Sequence, residues 1–97
     1  MVLSFITKQI AKDIACIVLI QTEGSDYDYE RFIYLAVRGD KMKDFFGAHR
    51  QGNYRPKDYG IILKHGYGRP TRAIQKEMKD EYNFDHDSIM VNYTDVA

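Results

Sequence analysis

Two runs of consecutive apolar residues dominate the first part of the chain. One run covers residues 14–20 and the other covers residues 32–37, and both are rich in β-branched and aromatic side chains. These side chains favour β-strands, and apolar runs without alternation are typical of strands covered on both faces. Because turn-forming residues occupy positions 23–26 between the runs, we predict an antiparallel β-hairpin formed by residues 14–22 and 31–38.

A shorter, alternating pattern occurs near the C-terminus. Apolar Ile89, Val91 and Tyr93 alternate there with polar residues. Alternation at a period of two is typical of a strand with one exposed face. We therefore predict a third strand at residues 88–94, at an edge of the same sheet. Residues 1–13 fit a strand and a helix equally well.

Within residues 41–82 the apolar positions change to a helical spacing. The first helix is predicted to begin after Asp40 and to end at Gly52, because glycine is favoured just beyond a helix C-terminus. The last helix is predicted to begin near Pro70 or Thr71 and to end at Asn83.

The segment between these two helices has two interpretations. Pro56 at a first helical position and Gly66 beyond a last turn frame a short additional helix, with Tyr67 folding back onto Ile62. The apolar residues 61–63 fit a short strand instead. The number of predicted helices is therefore two or three.

These elements predict a single α+β domain over residues 1–97. A small antiparallel sheet, made of the hairpin and the C-terminal strand, is packed by two or three helices from residues 41–82 in two layers. The longest apolar run has seven residues, whereas a membrane-spanning helix needs about 20. Cys16 is the only cysteine, so no internal disulfide can form, and we expect a cytoplasmic protein without a membrane span.

The chain has no net charge, but its charges are unevenly divided. Residues 1–40 have a net charge of −2, residues 41–79 of +7 and residues 80–97 of −5. If these segments remain apart in the folded protein, the division of charge predicts separate basic and acidic surfaces. Alternatively, the basic residues are solvated on helix faces and pair with the acidic C-terminal segment.

The basic segment also has tyrosines between its cations, a combination that suits nucleic acids. Lysine and arginine neutralise phosphates, and aromatic rings stack on bases. The candidate contacts for a nucleic acid are Arg50, Tyr54, Arg55, Lys57, Lys64, Arg69 and Arg72. Nucleic-acid binding is the alternative function that the sequence predicts.

Two glycines flank Tyr67 in the segment 65–71. Glycine permits sharp turns, which would let backbone N–H groups beside Arg69 form a cradle for an anion ahead of the last helix. However, Pro70 removes one donor, and the spacing matches neither common phosphate-binding motif. The other interpretation is a plain connector between two helices.

The eight tyrosines of the chain favour a protein partner, because tyrosine is enriched at protein interfaces. The candidate partner-binding residues are Tyr27, Asp28 and Tyr29 at the hairpin tip, together with Tyr67 and Arg69. The tyrosines at the tip fit an extension of the second strand equally well. The edge of the C-terminal strand further predicts a homodimer.

The sequence favours a non-catalytic protein, with a small-ligand or phosphoester enzyme centred on His65 and Arg69 as a further alternative. Cys16 lies within the first apolar run, where a thiol is buried and unreactive, and His49 falls on the apolar face of the first helix. Asp85 and Asp87 flank His86, but neighbours in an extended chain point to opposite sides, so no metal site is predicted. We expect no catalytic residue and no cofactor, and a non-catalytic interaction module that acts as an adaptor or regulator of another protein.

Overall fold

The computed structural model describes residues 2–6, 13–22, 31–86 and 89–92 and shows the predicted α+β class. The described residues form five strands: β1 (Val2–Ile6), β2 (Ile14–Thr22), β3 (Arg31–Arg38), β4 (Gly60–Tyr67) and β5 (Ile89–Asn92). The α-helices are α1 (Met42–Gln51) and α2 (Arg72–Tyr82), and single 3₁₀ turns occupy Gly39–Lys41 and Pro56–Asp58.

The strands form one antiparallel sheet in the order β4-β3-β2-β1-β5. The predicted hairpin is confirmed: Thr22 pairs with Arg31 and Ile14 with Arg38, with a bulge next to Ile14. The N-terminal segment, which fitted strand or helix, forms β1 between β2 and β5. The C-terminal strand lies at an edge of the sheet, as predicted, and β4 lies at the opposite edge.

The predicted short helix that begins at Pro56 is wrong, and the alternative strand is longer than predicted. Pro56 begins a single 3₁₀ turn, after which Gly60–Tyr67 pairs with β3. This pairing gives β3 a hydrogen-bonded neighbour on each side, which a buried strand requires for its backbone groups. Gly66 suits the strand because a Cβ atom there would lie 2.8 Å from the Phe32 ring. Tyr67 therefore ends a strand and caps no helix.

The helices cover opposite faces of the sheet, so the domain has three layers rather than the predicted two. The core between α1 and the sheet contains Cys16, Val18, Ile20, Leu35, Val37 and Phe45. The core on the α2 side contains Ile17, Leu19, Phe32, Tyr34, Met78 and Phe84. Alternate residues of β2 and β3 thus enter different cores, which explains why both runs lack polar positions.

Both α-helices end where the sequence predicts. Gly52 follows α1 with a left-handed φ of 86°, and Asn83 follows α2 with a φ of 57°. At the start of α2, the Ile74 N–H donates to the Thr71 hydroxyl at 3.3 Å, which stabilises the first turn. In the part of the chain that the structure describes, neither helix has the length and apolar character to cross a membrane.

Candidate functional site

Strand β4 forms an exposed edge of the sheet, here called the β4 edge (Gly60–Tyr67). Among the described residues, β3 pairs with one side of β4 and no strand pairs with the other. Ile61 is 49% exposed, Ile62 36% and Tyr67 74%, and these are the large apolar side chains that the described residues leave exposed. An edge with exposed β-branched and aromatic side chains is suited to pairing with another chain.

The backbone groups of alternate residues of the β4 edge point away from the sheet. The Arg38 N–H donates to the Tyr59 carbonyl at 3.0 Å, so these residues form a hydrogen-bonded pair at the start of the ladder. Hydrogen-bonded and non-hydrogen-bonded pairs alternate along antiparallel strands. The next pairs therefore leave Gly60 and Ile62 with N–H and C=O groups directed outward.

The same alternation continues beyond a bulge in β4. Leu63 is the extra residue where the register between β3 and β4 shifts. Beyond this bulge Gly66 is directed toward β3, whereas His65 and Tyr67 are directed outward. Together with Ile62, these two residues place three outward N–H and C=O pairs along the exposed edge.

The side chains of the outward-directed residues lie on the α1 face of the sheet. Ile62 pairs with Leu35 and His65 pairs with Ile33, and both partners pack in the α1 core. Paired residues in a sheet point to the same face. A segment added along β4 would therefore meet Ile62, His65 and then Tyr67 on that face.

Two contacts of charged side chains position β4. The Arg31 guanidinium carbon lies 5.5 Å from the centroid of the Tyr67 ring, within the range of a cation–π interaction. On the α2 face, the Lys64 Nζ donates to Glu77 Oε2 at 2.6 Å, and both side chains are partly exposed. These contacts tie β4 to β3 and α2, and no strand of the described residues covers its outer edge.

The candidate cations for nucleic-acid binding lie in separate places. Arg55 and Lys57 precede β4, whereas Arg69 and Arg72 follow its other end. The eight residues of β4 separate the two groups by about 25 Å at ~3.3 Å per residue. Arg50 lies in the last turn of α1, and all five cations are exposed. Lys64 lies within β4 itself and pairs with Glu77. The structure therefore distributes the candidate cations among α1, β4 and the segments at the two ends of β4, without gathering them on one surface.

Tyr54, predicted as a stacking residue, packs within the domain. Its hydroxyl is hydrogen-bonded to His49 Nδ1 at 2.7 Å, and its ring packs edge-on against Phe45 and Tyr59. Burial raises the pKa of the Tyr54 hydroxyl. The ring thus contributes to the packing beside α1 rather than to an exposed surface.

The segment between β4 and α2 is a connector, although a strand and not a helix precedes it. Gly68 turns the chain with a left-handed φ of 74°. Pro70 is buried, and its carbonyl accepts a hydrogen bond from Gln75 Nε2 at 3.0 Å. Because the Thr71 hydroxyl already accepts from an N–H of the first turn of α2, the predicted anion cradle has fewer donors to offer.

The thiol and the helix histidine that the sequence predicts to be packed are both buried. Burial raises the pKa of the Cys16 thiol from 9.0 to about 11 and lowers the pKa of His49 from 6.5 to about 4. His86 is hydrogen-bonded through Nε2 to the buried Tyr34 hydroxyl at 2.6 Å. Within the described ranges, no group of three His, Cys, Asp or Glu side chains is placed to hold a metal ion.

Two described carboxylates form ion pairs that bear on the basic segment. Glu77 pairs with Lys64, one of the candidate cations. Asp80, from the acidic C-terminal segment, lies 3.6 Å from Lys76, one turn earlier in α2, and both side chains are exposed. Asp80 thus pairs within its own helix, so in this instance the acidic segment does not cover a candidate cation.

The remaining candidate contacts, Tyr27, Asp28 and Tyr29, lie outside the described residues. The sequence offers residues 61–63 as a short strand, but it does not predict Ile61, Ile62 or His65 as contacts for a partner protein. Comparison of the chain with models of protein families, with curated proteins and with solved structures finds no match.

Proposed function

We propose that this domain is a non-catalytic interaction module that binds an extended segment of a partner protein as an additional strand on β4. The observation that carries the proposal is the pair of outward-directed residues Ile62 and His65, on an edge that the described residues leave exposed. Strand addition of this kind obtains its affinity from main-chain hydrogen bonds and its specificity from alternate side chains.

The exposed side chains of β4 support the same proposal. Ile62 and Tyr67 lie on one face of the edge and Ile61 lies on the other, so an added strand buries apolar surface on both of its faces. Each main-chain hydrogen bond contributes about 0.5–1.5 kcal/mol net, and the two outward-directed residues offer several.

A protein partner fits the placement of the basic residues better than a nucleic acid does. A bound strand of nucleic acid carries regularly spaced phosphates and needs cations along its whole path. Here exposed cations precede and follow β4, whereas within the strand Lys64 pairs with Glu77 and Ile61 and Ile62 are exposed. Tyr54 is packed against Phe45 and is therefore poorly placed for stacking on a base.

The proposal is tested with a display library of random segments of about twelve residues, long enough to pass both ends of β4. Selected peptides should bind the domain and lose at least about tenfold in affinity on His65→Pro. Proline at this position removes an outward N–H and no hydrogen bond to β3. The matched control is His65→Ala, which keeps the N–H and should bind within about threefold of the original protein.

Equal affinity for the His65→Pro and His65→Ala variants would contradict the proposal. If the proline variant unfolds, the amide exchange of Ile62 and His65 in the original protein, measured with and without peptide, decides instead. Single-stranded oligonucleotides that bind with a steep salt dependence would favour the nucleic-acid alternative. In that case Arg55→Ala and Arg69→Ala should each reduce the slope of log affinity against log salt concentration by about one.

A further inference from the structure

We infer that a groove beside α1 binds a small zwitterion, which is a molecule with both a free ammonium group and a free carboxylate. The groove lies between α1 and residues 58–59 ahead of β4 and is here called the α1 groove. Its volume is about 640 Å³, which is within the range of sites for small ligands. The inference is independent of strand addition, because α1 and not the β4 edge forms this groove.

A stripe of residues along α1 forms one wall of the α1 groove. Asp44, Ala48 and Gln51 line it, and their spacing of four and three positions places them on one side of the helix. The opposite wall contains Asp58 and Tyr59, at the end of the 3₁₀ turn that precedes β4. At ~1.5 Å per residue the stripe is about 10 Å long, which is the length of about three residues of an extended peptide.

Gly47 widens the groove at a cost to the helix. Glycine inside a helix is less favourable than alanine, and a Cβ atom at Gly47 would meet nothing within 4 Å. Packing among the described residues therefore gives no reason for a glycine at this position. Gly47 does line the groove, where a missing side chain lets a ligand approach the helix backbone. A bound ligand thus accounts for a residue that the fold itself does not require.

The charged residues of the groove have both signs and sum to zero. Lys41 and Lys43 carry the positive charges, and Asp44 and Asp58 carry the negative charges. All four residues are exposed, and none of them forms an ion pair with another described residue. A ligand of one charge sign would meet groups of its own sign, whereas a zwitterion pairs with both kinds at once. The groove therefore selects a neutral molecule with two opposite charges.

The apolar surface of the groove comes from Ala48 and Tyr59. Both are half-buried, and the Tyr59 ring is held edge-on against Phe45, with 5.9 Å between the ring centroids. A fixed aromatic ring favours contact with another aromatic side chain. Together with the length of the groove, this indicates a tripeptide with free ends and an aromatic residue between them. A free aromatic amino acid has the same two charges and is the smaller alternative.

The inference is tested with the tripeptide Ala-Phe-Ala, titrated into isotope-labelled protein while the amide NMR signals are followed. We expect a dissociation constant of about 1 mM or below, with shifts at Gly47, Ala48 and Tyr59 and none at Ile62 and His65. Acetylating the amino end or amidating the carboxyl end removes one charge and should weaken binding at least about threefold. Free phenylalanine is titrated in the same way, and equal affinity would identify the amino acid rather than the peptide as the ligand.

Variants of the charged residues test each half of the recognition. Asp44→Asn/Asp58→Asn should bind the free and the acetylated tripeptide equally, because the carboxylates that attract the amino end are gone. Lys41→Gln/Lys43→Gln should bind the free and the amidated tripeptide equally, because the ammonium groups that attract the carboxyl end are gone. Each variant should keep the preference that the other loses.

The variant Gly47→Leu tests whether the ligand occupies the space beside the helix. Leucine is a good helix former, so the variant should stay folded, and its side chain should fill the groove and weaken binding at least about tenfold. The matched control is Lys79→Leu, which places the same side chain at an exposed position of α2 and should bind within about twofold of the original protein.

Three outcomes would overturn the inference. One is no shift at Gly47, Ala48 and Tyr59 up to about 10 mM tripeptide, and another is equal affinity for the free tripeptide and for one blocked at both ends. The third is unchanged affinity of Gly47→Leu. Shifts confined to Ile62 and His65 belong to the first outcome and would favour the β4 edge instead. The selected peptides and His65→Pro decide the proposed function separately, so either proposal can fail without the other.

Discussion

The guanidinium carbon of Arg31 lies 5.5 Å from the centroid of the Tyr67 ring, and the two residues pair directly in the register between β3 and β4. The ring is nevertheless 74% exposed. An exposed cation–π contact contributes about 0.5–1 kcal/mol, which is enough to favour one position of the ring. The last residue of the β4 edge is thus held in place before any partner arrives.

Replacing Tyr67 with alanine should therefore affect binding much more than folding. We expect the affinity for a selected peptide to fall at least about tenfold, because a positioned aromatic ring is typical of an interface hot spot. The free energy of unfolding should change by less than about 1 kcal/mol, since the side chain is mostly exposed. Peptide titration and urea unfolding measure the two quantities. Unchanged affinity for Tyr67→Ala, with Tyr67→Phe as the control, would remove Tyr67 from the binding site.

The buried His49 should make stability depend on pH. Its pKa is lowered from 6.5 to about 4 by burial, so the unfolded chain takes up a proton first as the pH falls. Stability is then complete above about pH 6.5, decreases by roughly 3 kcal/mol toward pH 4, and levels off below that. Urea unfolding at a series of pH values measures this profile.

The matched variants for this prediction are His49→Phe and His65→Gln. The phenylalanine variant has no titrating imidazole in the core and should lose this part of the pH dependence. The glutamine variant removes an exposed histidine and should retain it. A His49→Phe profile parallel to that of the original protein between pH 6.5 and 4 would show that His49 is not the responsible group.

Two glycines should respond in opposite ways to alanine. A Cβ atom at Gly66 would lie 2.8 Å from the Phe32 ring, whereas a Cβ atom at Gly47 in α1 would meet nothing within 4 Å. We expect Gly66→Ala to destabilise by about 1–3 kcal/mol through overpacking and Gly47→Ala to stabilise by about 0.5–1 kcal/mol. Thermal unfolding of both variants measures the difference. Equal effects would mean that Gly66 does not lie against Phe32.

The elements with strong local signals could be predicted from the sequence. The two apolar runs predicted β2 and β3. Gly52 and Asn83 predicted the ends of α1 and α2, because the left-handed conformation that ends a helix is set by the residue at that position and its neighbours in sequence. The burial of Cys16 followed from its position within an apolar run.

The β4 edge could not be predicted in the same way. Pro56 and Gly66 are local signals for a helix, but pairing with β3, far away in sequence, overrides them. Whether a strand lies at an edge depends on the order of all strands in the sheet. The packing of Tyr54 onto His49 likewise depends on how the chain returns after α1, which the spacing of residues does not reveal.

The ion pair between Lys64 and Glu77 should contribute little to stability despite its short distance. The side chains are 38% and 40% exposed, and pairs at this exposure typically contribute about 0.2–1 kcal/mol. A double-mutant cycle with Lys64→Met and Glu77→Gln measures the coupling, which should decrease at high salt. The more exposed pair of Lys76 and Asp80 is the control and should give less. A coupling above about 2 kcal/mol would indicate that this pair locks β4 to α2.

Amide hydrogen exchange along β4 tests the central claim most directly. In the unbound domain, the outward amides of Ile62 and His65 should exchange much faster than the amides of Ile61, Lys64 and Gly66, which are directed toward β3. A selected peptide should then slow the exchange of the outward set and leave the inward set nearly unchanged. Slow exchange of the outward amides without peptide, or peptide binding that leaves them unprotected, would contradict strand addition at β4.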